Sequence, residues 1–193
     1  MQAVKNTLRK QIKAKLKCLS IAEKNFQSKM VAEKLFKNDN YINSKRISIY
    51  CSMKNELQTP LILEHALACK KSVYIPKYVG SDMEMVKIDS MEDYESLPET
   101  SWHIKQPLDS DNTREEAIPS GGLDLIIVPG VGFTSCGDRL GHGKGYYDSY
   151  ITKIEKVRKP YLIGLAFNEQ ICDSIPTFDH DRKLDNVLFT SVL

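Results

Sequence analysis

Between Gly130 and Asp148 the chain reads GVGFTSCGDRLGHGKGYYD, and six of its ten glycines fall there: Gly130, Gly132, Gly137, Gly141, Gly143 and Gly145. A residue without Cβ lets the backbone take left-handed conformations and brings its amides close to a ligand. Several inward-facing amides make an anion nest. A helix predicted from about Gly145 to Lys156 adds its positive N-terminal end. Arg139 and Lys144 add full positive charges. These features describe a cradle for a polyphosphate. A flexible glycine-rich surface loop is the plain alternative, and the order Arg-Leu-Gly-x-Gly-Lys-Gly-Tyr-Tyr-Asp tells against it. The segment is not a Walker A loop, because the G-x-x-x-x-G-K-[ST] spacing is absent. It is not a dinucleotide turn either, since that motif directly follows a first strand.

Other candidate chemistry is sparse. Cys18, Cys51, Cys69, Cys136 and Cys172 include no C-x-x-C pair, and they read as reduced, structural residues. His65, His103, His142 and His180 form no H-x-x-x-H pair, so a transition-metal site is not expected. The 27 basic and 25 acidic side chains nearly balance, which argues against broad binding to nucleic acid. One local excess stands out: Lys5, Arg9, Lys10, Lys13, Lys15 and Lys17, with no acidic residue among them. They form either a solvated helix face or a site for an anionic ligand. Affinity for RNA that falls with salt would revive a weaker RNA-binding reading.

These residues need a scaffold. Val4, Leu8, Ile12 and Leu16 recur every four residues, so the first segment reads as a helix docked by that stripe. Lys5, Arg9 and Lys13 run beside the stripe, at the edge of whatever the helix covers. Ser20 and Glu23 fit a capping box opening a second helix, with Phe26, Met30, Val31 and Leu35 as its buried face. Strands are expected at Ile47–Cys51, at Ser72–Ile75 (ended by Pro76), and at Met83–Ile88, which alternates. Thr59-Pro60 opens a helix running to about Cys69. The stretch from Ser90 to Ser120 is polar and reads as largely irregular. Leu123–Val128 and Tyr161–Phe167 are continuous apolar runs, the mark of fully buried parallel strands. A last strand is expected near Val187–Phe189. The order predicts an α/β fold: a single domain over 1–193, with a mainly parallel central sheet flanked by helices. Residues 1–38 form a helical N-terminal arm and 46–193 the sheet part. Ligands of such sheets bind beyond the carboxyl ends of the strands, where the glycine segment lies.

RLGHGKGYYD resembles the signature of the 5-formyltetrahydrofolate cyclo-ligase family. The likeness covers nearly the whole chain through KNTLRK, RISIYCSMKNELQT with YIPKY, TSWHIKQP, GGLDLIIVPGVGF, LAFNEQI and KLDNVLF. The motif position held by His142 carries little of the match. The resemblance implies an ATP-dependent ligase that turns 5-formyltetrahydrofolate into 5,10-methenyltetrahydrofolate and releases ADP and phosphate. It implies ATP contacts from Lys5, Asn6, Thr7, Leu8 and Arg9, and from Arg139, Leu140, Gly141, His142, Gly143, Lys144, Gly145, Tyr146 and Tyr147. Folate contacts would come from Cys51 and Glu56, and from His142 to Tyr146, where folate and γ-phosphate meet. Lys144, Arg139 and Tyr146 would be catalytic, while Asp148 and Asp185 would serve Mg2+.

The chemistry of these residue types agrees, because magnesium takes one or two carboxylates beside phosphate oxygens. From the residues alone, Asp148 also reads as an exposed helix residue, Asp185 as a turn residue, and Glu56 as a solvated loop residue. Lys77 of YIPKY is a further candidate for the phosphates. A sugar-phosphate isomerase-like enzyme and a non-catalytic nucleotide-binding protein remain open on a similar fold. The expected partners are ATP, 5-formyltetrahydrofolate and its polyglutamates, with no nucleic acid and no membrane. The expected state is a cytoplasmic monomer, since no apolar run approaches the ~18 residues of a span and the N-terminus lacks a secretory h-region.

Overall fold

The computed structural model describes residues 1–190. The elements in chain order are α1 (Gln2–Cys18), α2 (Ile21–Phe36), α3 (Asp39–Asn43), β1 (Arg46–Ser48), α4 (Pro60–Ala68), β2 (Ser72–Val79) and β3 (Asp82–Ile88). They continue with α5 (Met91–Ser96), β4 (Leu125–Val128), β5 (Gly132–Phe133), β6 (Arg139–Leu140), α6 (Tyr146–Ile154), β7 (Tyr161–Leu165) and β8 (Asn186–Leu188). A 3₁₀ turn spans Asn168–Gln170.

The sheet order is β3-β2-β1-β4-β7-β8. All pairings are parallel except β2 with β3, which form an antiparallel hairpin at one edge. β4 lies in the middle and is apolar at every position, as the run LIIV requires of a strand covered on both faces. After β1 the chain moves to β2 on one side and later to β4 on the other. The carboxyl ends of β1 and β4 therefore flank a topological switch point, where an open α/β sheet leaves a crevice.

Several local expectations are corrected. Pro76 does not end β2, which runs through to Val79. β1 pairs with β2 only as far as Tyr74, so Pro76 has a strand neighbour on one side alone, where a missing N–H is tolerated. Phe26 is 58% exposed and Met30 only partly buried; α2 buries Val31 and Leu35 as expected, together with Gln27, Ser28 and Ala32. The Gln27 amide explains this face, because its oxygen accepts from the Asn168 amide and its nitrogen donates to Glu23. At the start of α1 the buried residue is Lys5, while Val4 is exposed. The first turn of α1 thus docks by a charge, and only Ile12 and Leu16 of the apolar stripe are fully covered. Ser20 caps α2 by accepting from the Glu23 amide. Thr59 precedes α4 but spends its hydroxyl on the Tyr50 carbonyl, which ties the end of β1 to the helix start.

The stretch between β3 and β4 contains α5 and is otherwise irregular. It is sewn to β2 by side chains. Gln106 accepts from the Tyr78 amide and donates to its carbonyl, both at 3.0 Å. Lys77, 2% exposed, donates to the carbonyls of Asp109 and Asp111. That spends Lys77 on the loop and overturns its candidacy for the phosphates. Among the described residues no helix is long and apolar enough to cross a membrane.

Candidate active site

A cavity of about 350 Å³ opens at the carboxyl ends of β1 and β4, between the glycine segment, α1 and the loop following α5. Its two ends differ in chemistry. One is lined by Lys5, Arg9, Arg139, Asp148, Asp181 and residues Gly141 to Gly145. The other is lined by Tyr50, Cys51, Met53, Glu56, Tyr78, Trp102 and Ile104, with Tyr146 and His142 between the two.

At the charged end Lys5, Arg9 and Arg139 are each held by a fixed acceptor. Arg139, at the start of β6, donates one guanidinium nitrogen to the Pro129 carbonyl at 3.1 Å and another to Asp148 at 2.8 Å. Asp148, in the first turn of α6, also accepts from the Arg182 amide at 3.0 Å. Lys5 forms an ion pair with Asp181, and its ammonium sits 4.5 Å from the centroid of the Phe178 ring. Burial alone would raise the Asp181 carboxyl pKa. Hydrogen bonds from Lys5 and the Phe178 amide outweigh it and hold the carboxyl below its ordinary value. Arg9 is lowered by burial, against the pull of Asp181, and donates Nε to the Gly141 carbonyl at 2.8 Å. Arg9 also donates to the Asn6 side chain, so α1 presents a rigid guanidinium to the loop.

The loop conformation needs its glycines. Gly143 and Gly145 have φ of +107° and +74°, and Gly145 is the residue from which α6 starts. Lys144, between them, is exposed and has no hydrogen-bond or ion-pair partner among the described residues.

The other end is packed and largely apolar. Tyr78 meets Tyr146 edge to face at 5.0 Å and Trp102 at 5.8 Å. The Tyr146 hydroxyl donates to the Gly80 carbonyl at 3.0 Å, fixing this ring against the β2–β3 turn. Burial pushes the Cys51 thiol up to about 12, so it is a neutral wall and not a nucleophile. Glu56 is buried, not solvated: one carboxylate oxygen accepts from the Met53 amide and the other meets His142 Nε2, both at 2.9 Å.

Most of the residues singled out in the sequence therefore converge. Lys5, Arg9, Cys51, Glu56, Arg139, Gly141 to Tyr147 and Asp148 all line one cavity. Asn6, Thr7, Leu8 and Leu140 belong to the same elements without lining it. Asp185 requires a correction. Its carboxylate accepts from the Leu162 amide, level with the body of β7, and it does not line the cavity. A residue locked there is not placed to share a metal with Asp148. The carboxylate that joins Asp148 at the charged end is Asp181. Its signal lay in the polar DHDRKLD run, where spacing alone did not say which aspartate turns inward. Trp102 was similarly visible only as part of TSWHIKQP.

Cations and glycine amides thus share one cavity with a carboxylate set among aromatic rings. Residues 1–190 match the model of the 5-formyltetrahydrofolate cyclo-ligase family. A mouse protein named 5-formyltetrahydrofolate cyclo-ligase is 44% identical, with 98% of this chain and 95% of that one covered. A Caenorhabditis elegans protein, named a probable 5-formyltetrahydrofolate cyclo-ligase, is 37% identical, covering 98% and 94%. Among solved structures, the 5,10-methenyltetrahydrofolate synthetase of Aquifex aeolicus superposes with a TM-score of 0.79 at 28% identity, covering 96% of this chain and 89% of that one.

Proposed function

We propose how the pocket works from one premise: this chain belongs to the 5-formyltetrahydrofolate cyclo-ligase family. Its reaction is the ATP-dependent conversion of 5-formyltetrahydrofolate to 5,10-methenyltetrahydrofolate. The observation that carries the assignment of roles is a single cavity with cations and glycine amides at one end and Glu56 among aromatic rings at the other.

Ring closure requires the formyl carbon to accept a second nitrogen and lose its oxygen, and an amide oxygen is a poor leaving group. In the proposed route the formyl oxygen attacks the γ-phosphorus, the bond to the β-phosphate oxygen breaks, and ADP leaves. N10 then adds to the activated carbon, the carbon–oxygen bond breaks, and phosphate departs with the formyl oxygen. The N10 proton passes to solvent. No covalent protein nucleophile is needed, in keeping with the protonated Cys51. Lys144, Arg139 and the amides of 141–145 stabilise charge on the transferring group, the main protein contribution to phosphoryl transfer. Tyr146 bridges the two ends and keeps the formyl group facing the phosphates. Lys5 and Arg9 engage the nucleotide from α1, and Glu56 accepts from donors of the pterin.

A divalent metal, Mg2+, fits the donor set. Asp148 and Asp181 are oxygen donors lining the charged end, and two carboxylates beside phosphate oxygens suit magnesium. Both are now paired with cations, Arg139 and Lys5, that would then be free to turn toward phosphate. The metal would neutralise phosphate charge. The protein acts on small molecules (ATP, 5-formyltetrahydrofolate and its polyglutamates) as a cytoplasmic monomer, and its nearly balanced 27 basic and 25 acidic residues disfavour broad binding to nucleic acid.

One experiment tests reaction and route together. Protein mixed with MgATP and 5-formyltetrahydrofolate carrying oxygen-18 in the formyl group should develop the absorbance of the methenyl product and place the label in inorganic phosphate. No product overturns the function. Product with label in water and unlabelled phosphate overturns the route.

A further inference from the structure

The segment 141–145 is rich in glycine and exposed from His142 to Gly145, so ordering it costs conformational entropy. Two side chains from other elements hold it. Arg9 of α1 grips the Gly141 carbonyl at 2.8 Å, and Glu56, from the loop between β1 and α4, meets His142 Nε2 at 2.9 Å. The second tether joins the two substrate ends. Glu56 is fixed from behind by the Met53 amide and is 9% exposed, whereas His142 is 37% exposed and rides on the phosphate loop. Whatever holds the Glu56 carboxylate in place also holds His142, and so sets where Gly141, Gly143 and Lys144 sit.

We propose that His142 is a positioning residue that couples the two substrate sites: through its hydrogen bond to Glu56, a folate bound at Glu56 pre-orders the glycine loop for the nucleotide, and the nucleotide does the same for the folate. This rests on the roles assigned above to Glu56 and to 141–145. Each carboxylate oxygen has two lone-pair sites, so Glu56 keeps acceptor capacity for the pterin while His142 and Met53 are bound. The coupling is reciprocal because it is one free energy shared by two binding events.

Trp102, the single tryptophan, lines the cavity at the folate end and reports occupancy by its fluorescence. The experiment titrates 5-formyltetrahydrofolate with and without a saturating non-hydrolysable ATP analogue and Mg2+. In the parent protein each ligand should tighten the other on the order of tenfold, the scale of one hydrogen bond to a charged group. His142→Ala should bring that factor close to one while leaving the fold intact. His142→Gln keeps a donor at similar reach and should restore most of the coupling. In a Glu56→Ala background, His142→Ala should change nothing further. Equal coupling in parent and His142→Ala overturns the inference, and so does an alanine effect that the glutamine variant fails to rescue. A parent protein that makes no methenyl product overturns the proposed function itself, a separate result read in a separate assay.

Discussion

The two ends of the cavity are built on opposite plans. At the aromatic end, Tyr50 and Cys51 follow β1 and are buried, Tyr78 belongs to β2 and is half-buried, and all three hold position by packing. At the charged end, residues 142–145 are exposed and the surrounding order comes from discrete charge-assisted bonds: Arg139 to Asp148 and Pro129, Lys5 to Asp181, and Arg9 to the Gly141 carbonyl of the loop. A shape-based site degrades gradually when one side chain is trimmed. A site held by paired charges fails sharply, since removing one partner strands the other.

The sharpest break should come at Arg139, which is 5% exposed at its side chain against 18% for Asp148. Breaking a buried pair costs ~3–5 kcal/mol of stability, so Arg139→Ala should lower the melting temperature; losing a donor that stabilises charge on the transferring group should lower turnover by roughly 100- to 1000-fold. Arg139→Lys should rescue little, because one ammonium cannot reach both Pro129 and Asp148 as the planar fork does. Turnover and thermal melts of both variants check this. A fully active lysine variant would mean that the fork is not what matters.

Lys144 should come next. With no partner among the described residues, its loss strands nothing, so Lys144→Ala should melt like the parent. Its charge is available for the transferring phosphoryl group, and a contact of this kind is worth ~1.5–3 kcal/mol. Turnover should fall roughly 10- to 150-fold with little change in the KM for 5-formyltetrahydrofolate. An unchanged kcat would remove Lys144 from the machinery.

Trimming the folate end should show the gentler behaviour. Trp102 is 51% exposed and contributes an aromatic face supported by Tyr78. Aromatic contacts of this sort are worth ~0.5–1.5 kcal/mol. Trp102→Ala should raise the folate KM about three- to tenfold and leave the ATP KM near its parent value. If the ATP KM rose equally, the division into two ends would be wrong.

The same contrast explains what the sequence made legible. The sheet strands were visible because LDLIIV and YLIGLAF have one environment along their length, and period and apolarity report it directly. β2 ran past Pro76 because a strand's tolerance for proline depends on how far its neighbour extends, which no local pattern records. The glycine loop and its cations were visible because an anion site concentrates rare residue types in one stretch. The wall made by Trp102 and Ile104 was not, since it hangs on Gln106 and Lys77 bonding to backbone 28 to 34 residues away in sequence. The tethers Lys5–Asp181 and Glu56–His142 join positions 176 and 86 residues apart, and only the fold brings them together.

The aspartates give the finest version of the comparison and the smallest expected effect. Asp181 and Asp185 lie one helical turn apart in number within DRKLD, yet the chain there is irregular, not helical, and they end up in different surroundings. Asp181 lines the cavity and pairs with Lys5, whereas Asp185 accepts from the Leu162 amide beside β7. If the metal is held by the carboxylates that face the phosphates, Asp148→Asn and Asp181→Asn should each raise the magnesium needed for half-maximal rate. Asp185→Ala should leave that titration unchanged and show instead the loss of one hydrogen bond, about 1 kcal/mol. For a chain of this size that is a fall of ~2–4 °C in melting temperature. Measuring the magnesium dependence and the melt of all three variants separates the roles. A magnesium shift in Asp185→Ala as large as in Asp181→Asn would mean that the 178–185 segment rearranges on binding, so that position in the free protein does not identify the metal ligands.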